Sequence, residues 1–79
     1  MTTTDSCINQ LLAAVNCPRL NRERVAKLEW QITSAIIDMR VYAGRKPGNV
    51  QSVCNRLADG WAAALETARR IMEAKNANR

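Results

Sequence analysis

The stretch VAKLEWQITSAIIDMRVY, residues 25–42, decides the fold. Its apolar side chains recur in alternating steps of three and four residues, which is typical of an α-helix that packs against other helices. The members of this seam are Val25, Leu28, Ile32, Ala35, Met39 and Tyr42. No alternation of apolar and polar residues of the kind that marks a β-strand competes with this pattern in the sequence. We therefore expect an all-α fold.

The same helix carries a second apolar face. Trp30, Ile37 and Val41 point roughly opposite the seam, and polar residues separate the two faces. A helix that is apolar on two sides is expected to be packed on both. Three elements are candidates for packing on the second face. They are a second subunit, a foreign partner, or a short first helix that carries Leu11, Leu12 and Val15. We take Trp30, Ile37 and Val41 as the candidate interface.

Two interruptions divide the chain, at Asn16-Cys17-Pro18 and at the segment GRKPGN, residues 44–49. Proline lacks the N–H that a helix interior needs, and Gly44 suits the left-handed position just past a helix end. Asn21 is an alternative N-cap for the second helix. We expect a single domain over residues 1–79, with helices over about 6–16, 19–43 and 50–76 and a turn over 44–49.

The third helix repeats the apolar spacing of the second, and the short turn between them predicts an antiparallel helical hairpin. All its large apolar residues fall within one sector, which is typical of an ordinary surface helix. Gly60 interrupts it at a cost of about 1 kcal/mol relative to alanine. We expect either close approach of a neighbouring helix at Gly60 or room for the indole of Trp61.

The composition disfavours most kinds of catalytic and metal site. The chain has 79 residues, of which 47% are hydrophobic and 24% charged, and it has no histidine. Without histidine the usual general base, the usual catalytic triad and most zinc sites are absent. The carboxylates are spread over helix surfaces, and no nucleophile has an evident base. We therefore expect no enzyme activity, no metal and no cofactor.

The short length predicts self-association. A chain of this size buries only about 60% of its unfolded surface, so a homodimer or a higher symmetric oligomer is the expected means of stabilisation. Three cysteines without CxxC spacing favour a reducing cytoplasm and a role as small core residues. A Cys7–Cys17 bridge or a reactive thiol are the alternatives. No signal peptide or membrane span is expected.

The excess of basic over acidic residues favours an acidic partner. The formal net charge is +5, and Arg40, Arg45 and Lys46 gather near the turn, where they would bind an anion or an acidic surface. A secondary basic patch is expected where the second helix begins and the third ends, on Arg22, Arg24, Lys27, Arg69 and Arg70. Both groups have an alternative role as ordinary solvated surface.

The function we expect is that of a small non-catalytic protein that binds and occludes a larger macromolecular partner. An inhibitor or anti-activator, of the type that phages and mobile elements encode, fits this size and composition. The first alternative is a basic nucleic-acid-binding module, and the second is an oligomer that sequesters a small anionic ligand. Fold class alone does not choose among them, because helical hairpins serve many functions.

Overall fold

The computed structural model describes residues 3–77, and it is all-α as expected. The helices are α1, Thr3–Asn16, α2, Arg22–Ala43, and α3, Gly48–Ala77. No strand occurs within the described range. Compared with the expected bounds, α1 and α3 begin earlier and α2 begins later.

The start of α2 is set by its cap. The side-chain oxygen of Asn21 accepts a hydrogen bond from the backbone N–H of Arg24 at 3.1 Å, which satisfies one of the free N–H groups of the first turn. The chain bends over residues 17–19 before this cap. The alternative cap is thus confirmed, and the expected start at residue 19 is wrong because the bend at Pro18 delays the helix.

The end of α2 does not use a left-handed glycine. Gly44 has φ −63° and ψ −15°, which is ordinary right-handed helical backbone. The chain leaves the helix through two tight hydrogen bonds, from Arg45 N–H to the Tyr42 carbonyl and from Lys46 N–H to the Ala43 carbonyl, each 3.1 Å. The expectation for Gly44 is therefore wrong: a short turn of 3₁₀ type ends this helix.

The hydrophobic core lies where all three helices meet. It consists of Leu11, Val15, Val25, Leu28, Ile32, Trp61, Leu65 and Ala68. α1 therefore packs against the seam side of α2 and against α3. The proposal that the first helix covers the second apolar face of α2 is wrong, because Leu11 and Val15 are already buried in this core.

Hydrogen bonds place α1 beside the later part of α3. The indole N–H of Trp61 donates to the Asp5 carboxylate at 3.3 Å, and the Lys75 ammonium donates to the Cys17 carbonyl at 2.9 Å. The thiol of Cys7, on α1, lies 3.6 Å from the side-chain oxygen of Gln31, on α2. The first turns of α1 therefore lie beside the middle of α2 and of α3.

Residues 37–57, which we call the distal segment, run from the level of the first turns of α1, beside which Asp38 and Leu57 lie, to the turn between α2 and α3 and back. The 14 residues of α1 span about 21 Å, whereas the 30 residues of α3 span about 45 Å. The molecule measures 48 × 20 × 18 Å with a radius of gyration of 14.1 Å, compared with about 12 Å for a compact domain of this length. Two helices without a third form this end of the molecule.

The relative direction of α2 and α3 is indicated by an ion pair. Arg40, near the end of α2, lies 3.0 Å from the carboxylate of Asp59 in α3, while the bond from Lys75 to Cys17 ties the end of α3 to the residues before α2. The antiparallel hairpin stays a prediction, which these two contacts favour. The single domain over residues 1–79 and the oligomer also stay predictions.

α3 differs from the expected surface helix. Its buried residues are Cys54, Ala58, Trp61, Leu65 and Ala68, whereas Val53 and Leu57 are 60% and 43% exposed. The large apolar residues still share one sector of the helix, as expected, but Val53 and Leu57 are left uncovered beside Asp5 and Ile8 of α1.

The three cysteines are free, with Cys17 exposed and Cys54 buried. Ten residues of helix separate Cys7 from Cys17 by about 15 Å, which a disulfide cannot span. The bridge is therefore excluded, and the expected core position applies to Cys54 but not to Cys17. No helix in residues 3–77 combines the length and the apolar character needed to cross a membrane.

Candidate interaction surface

The outer face of α2, formed by Trp30, Ile37 and Val41, lies open to solvent. These side chains are 70%, 56% and 54% exposed. They share one side of the helix because each follows the previous one after seven or four residues. Monomeric proteins rarely leave clustered large apolar side chains uncovered unless these take part in binding.

A second apolar surface lies between α1 and α3. This α1–α3 groove, with a volume of about 510 Å³, is lined by Asp5, Ile8, Val53, Arg56, Leu57, Gly60, Trp61 and Ala64. Its walls are largely apolar. The Asp5 carboxylate at its inner side accepts the hydrogen bond from Trp61, and Arg56 brings a positive charge to the lining. Sequence reasoning missed this groove, although Val53, Leu57 and Gly60 were its signals.

Gly60 contributes open space to this groove. A Cβ atom built at Gly60 would meet no atom of a neighbouring helix within 4 Å. The expectation of close helix approach is therefore wrong. The absent side chain leaves room on the solvent side of α3, where the groove lies.

Two of the cations near the turn have separate partners. Arg40 is paired with Asp59 at 3.0 Å, and the Lys46 ammonium lies 4.9 Å from the centre of the Tyr42 ring. Arg45 is exposed. Because Asp59 neutralises one of the three charges, the predicted anion site is weaker than the sequence indicated. The sequence around the turn does not indicate that Asp59 of α3 pairs with Arg40, because Asp59 lies 19 residues further along the chain.

The secondary basic patch stays a prediction, and two contacts of its members are seen. Arg24 and Lys27 line a shallow groove of about 180 Å³ with Gln10 of α1. On α3, Arg70 lies 3.6 Å from Glu66, four residues earlier on the same helix. Neither feature joins the two sets of cations.

The remaining members of that patch, Arg22 and Arg69, are exposed. Among residues 3–77 no three cysteine or carboxylate side chains gather in a way that could hold a metal ion. The outer face and the α1–α3 groove are thus the surfaces with a distinctive chemistry, and that chemistry is apolar.

Comparison of the chain with protein-family models, with curated proteins and with solved structures gives no match.

Proposed function

We propose that this chain is a non-catalytic interaction protein that binds a larger macromolecular partner and occludes part of its surface. The outer face carries this proposal: Trp30, Ile37 and Val41 are large, apolar and exposed on one side of a well-packed helix. Tryptophan is among the residue types that contribute most to protein interfaces.

The energy available from this face is substantial. Full burial of an isoleucine or valine side chain is worth about 1.5–3 kcal/mol, so covering the exposed halves of Ile37 and Val41 gives roughly 2 kcal/mol together. The more exposed and larger Trp30 adds at least as much. A stable interface buries about 1,200–2,000 Å² in total. The outer face would therefore be the centre of a larger contact, surrounded by polar residues.

Two kinds of partner fit this surface. A foreign protein occluded by the outer face would make the chain an inhibitor or anti-activator. A second copy would make it a homo-oligomer, which the small size of the chain also favours. One protein can have both kinds of partner, with a second copy and the foreign protein competing for Ile37 and its neighbours.

Single charges placed on the outer face test the proposal. Ile37→Asp and Trp30→Asp should abolish capture of a partner from a lysate of the source cells, or self-association measured as mass by light scattering. Far-UV circular dichroism should be unchanged, because both positions lie outside the core. Ala63→Asp, on an exposed position of α3, is the matched control and should behave as wild type.

Two outcomes would contradict the proposal. One is that both outer-face variants keep the mass and the capture of the wild type. The other is binding to DNA or RNA that falls steeply with salt and survives Ile37→Asp, which would instead support the nucleic-acid-binding alternative.

A further inference from the structure

We propose that the α1–α3 groove binds α3 of a second copy of this chain, so that two copies form an antiparallel dimer with two-fold symmetry. This inference goes beyond the proposed function, because it assigns self-association to α3 and leaves the outer face of α2 to a foreign partner. Three observations carry it: the order of large and small side chains along the groove, the charge of its lining and the exposed area of the molecule.

The α3 side of the groove has the spacing of a helix that packs against another helix. Val53, Leu57, Gly60 and Ala64 line the groove and follow each other in steps of four, three and four residues. Such steps place side chains along one seam, as in a coiled coil. Val53 and Leu57 are 60% and 43% exposed. The single chain therefore leaves a helix-packing seam open to solvent.

This seam is complementary to itself. Two copies of α3 can run antiparallel about a two-fold axis midway between Leu57 and Gly60. Leu57 of each copy then faces Gly60 of the other, and Val53 faces Ala64 in the same register. A two-fold interface repeats each contact in both directions, so every layer pairs one large side chain with one small one. Such pairing fills space without overlap, as close packing requires.

Gly60 provides the space for the large side chain opposite. A Cβ atom built at Gly60 meets no atom of a neighbouring element within 4 Å, and the groove at this level has a volume of about 510 Å³. In the layer of Val53 and Ala64 a methyl group already faces a large side chain. Alanine at position 60 is therefore compatible with the dimer, whereas leucine there would overlap with Leu57 of the second copy.

The charge of the lining favours a second copy over a strongly charged ligand. The charged residues in the lining are Arg56 and Asp5, so the lining has no net charge although the chain carries +5. Two copies of a basic protein repel each other least where the surfaces in contact are neutral. A charged ligand meets no excess of opposite charge here, whereas a second copy brings an equally balanced, apolar surface.

The exposed area of the molecule matches that of a protomer from a dimer. The chain exposes 5606 Å², whereas a compact monomer of 8.8 kDa exposes about 4,800 Å². The excess of about 800 Å² is close to the area that each partner buries in a stable interface. In the antiparallel register the distal segment of each copy lies against α3 of the other. The end of the molecule that has two helices thus gains a third.

The mass of the full chain in solution, measured by light scattering over a range of protein concentrations, is the first test. We expect a dimer that Leu57→Asp weakens at least tenfold. Gly60→Leu should weaken it as well, while Gly60→Ala should keep it. Ile37→Asp is the matched control, because it places the same charge on an exposed apolar position of the outer face, and it should leave the dimer intact.

A double variant separates the register from loss of fold. In Leu57→Ala/Gly60→Leu the large and small side chains exchange positions along the seam, so each layer again pairs one of each. This variant should dimerise more tightly than Gly60→Leu alone. A fold damaged by leucine at position 60 would not be repaired in this way, and far-UV circular dichroism of all variants should match that of the wild type.

Disulfide formation between two chains tests the register directly. A mixture of Leu57→Cys and Gly60→Cys chains should form the mixed disulfide on oxidation, identified by mass spectrometry of the linked peptides. In a mixture of Val53→Cys and Gly60→Cys the two positions lie about 6 Å apart along the helices, four residues out of register. Added to the distance between the helix axes, this offset exceeds the reach of a disulfide, so this pair should link much more slowly.

Three results would overturn the inference. They are a monomeric mass at every concentration, a dimer that Ile37→Asp dissociates and Leu57→Asp does not, and equal rates of disulfide formation in the two mixtures. Failure of this inference is distinguishable from failure of the proposed function. A monomer that still captures a partner through Ile37 would contradict the dimer alone, and a dimer whose Ile37→Asp variant captures the partner unchanged would contradict the role of the outer face alone.

Discussion

Replacing Gly60 by alanine should stabilise the protein. Gly60 lies inside α3, far from either end of that helix, where glycine costs about 1 kcal/mol relative to alanine. A Cβ atom there meets nothing within 4 Å outside its chain neighbours and its own helix, so no steric term opposes this gain. For a chain of this size, about 1 kcal/mol raises Tm by roughly 4–8 °C.

Thermal and urea denaturation followed by circular dichroism at 222 nm measure the effect. The midpoint in urea should rise by roughly 0.5–1 M with an unchanged slope, because the surface exposed on unfolding stays the same. An unchanged or lowered midpoint would refute the reasoning, since it would mean that α3 is not regular at Gly60 or that a neighbouring element approaches there. Ala63→Gly, at an exposed position of the same helix, should lower stability by a similar amount.

Three further predictions concern the fold. Leu11→Ala should cost about 2–5 kcal/mol in urea denaturation, because Leu11 is only 1% exposed in the core; a loss below 1 kcal/mol would mean that α1 is not docked. Asn21→Ala should cost about 1 kcal/mol through loss of the bond to Arg24, whereas Asn21→Gly should cost a few tenths, and equal losses would contradict the capping role. The Cys17 thiol, which is exposed, should react with a thiol reagent in the native protein, and the buried Cys54 only on unfolding; equal rates would place Cys54 at the surface.

The periodicity of the long helices was sufficient to predict their existence and the all-α class. Val25, Leu28 and Ile32 of the seam are buried, whereas Tyr42 at its end is 50% exposed. The exposure of Ile37 and Val41 also agrees with a face that the rest of the chain does not cover. These results follow from local spacing, because the side of a helix on which a residue lies depends only on its position along that helix.

The placement of α1 could not be predicted in the same way. Its apolar residues fit either side of α2, and the choice depends on packing with Trp61 and Leu65, which are distant in sequence. The pairing of Arg40 with Asp59 has the same origin. The groove escaped prediction because it depends on how α1 lies against α3. The apolar spacing of α3 alone does not show which part of its stripe another helix covers.

The central claim is that the outer face of α2 is covered by another macromolecule when the protein functions. Site-specific photo-crosslinking in the source cells tests it most directly, with a benzophenone side chain placed at Ile37 and, as control, at Ala63. The account predicts a discrete cross-linked product at Ile37, either with one partner or with a second copy, and none at Ala63. An Ile37 side chain that cross-links to nothing, or no more selectively than Ala63, would contradict it.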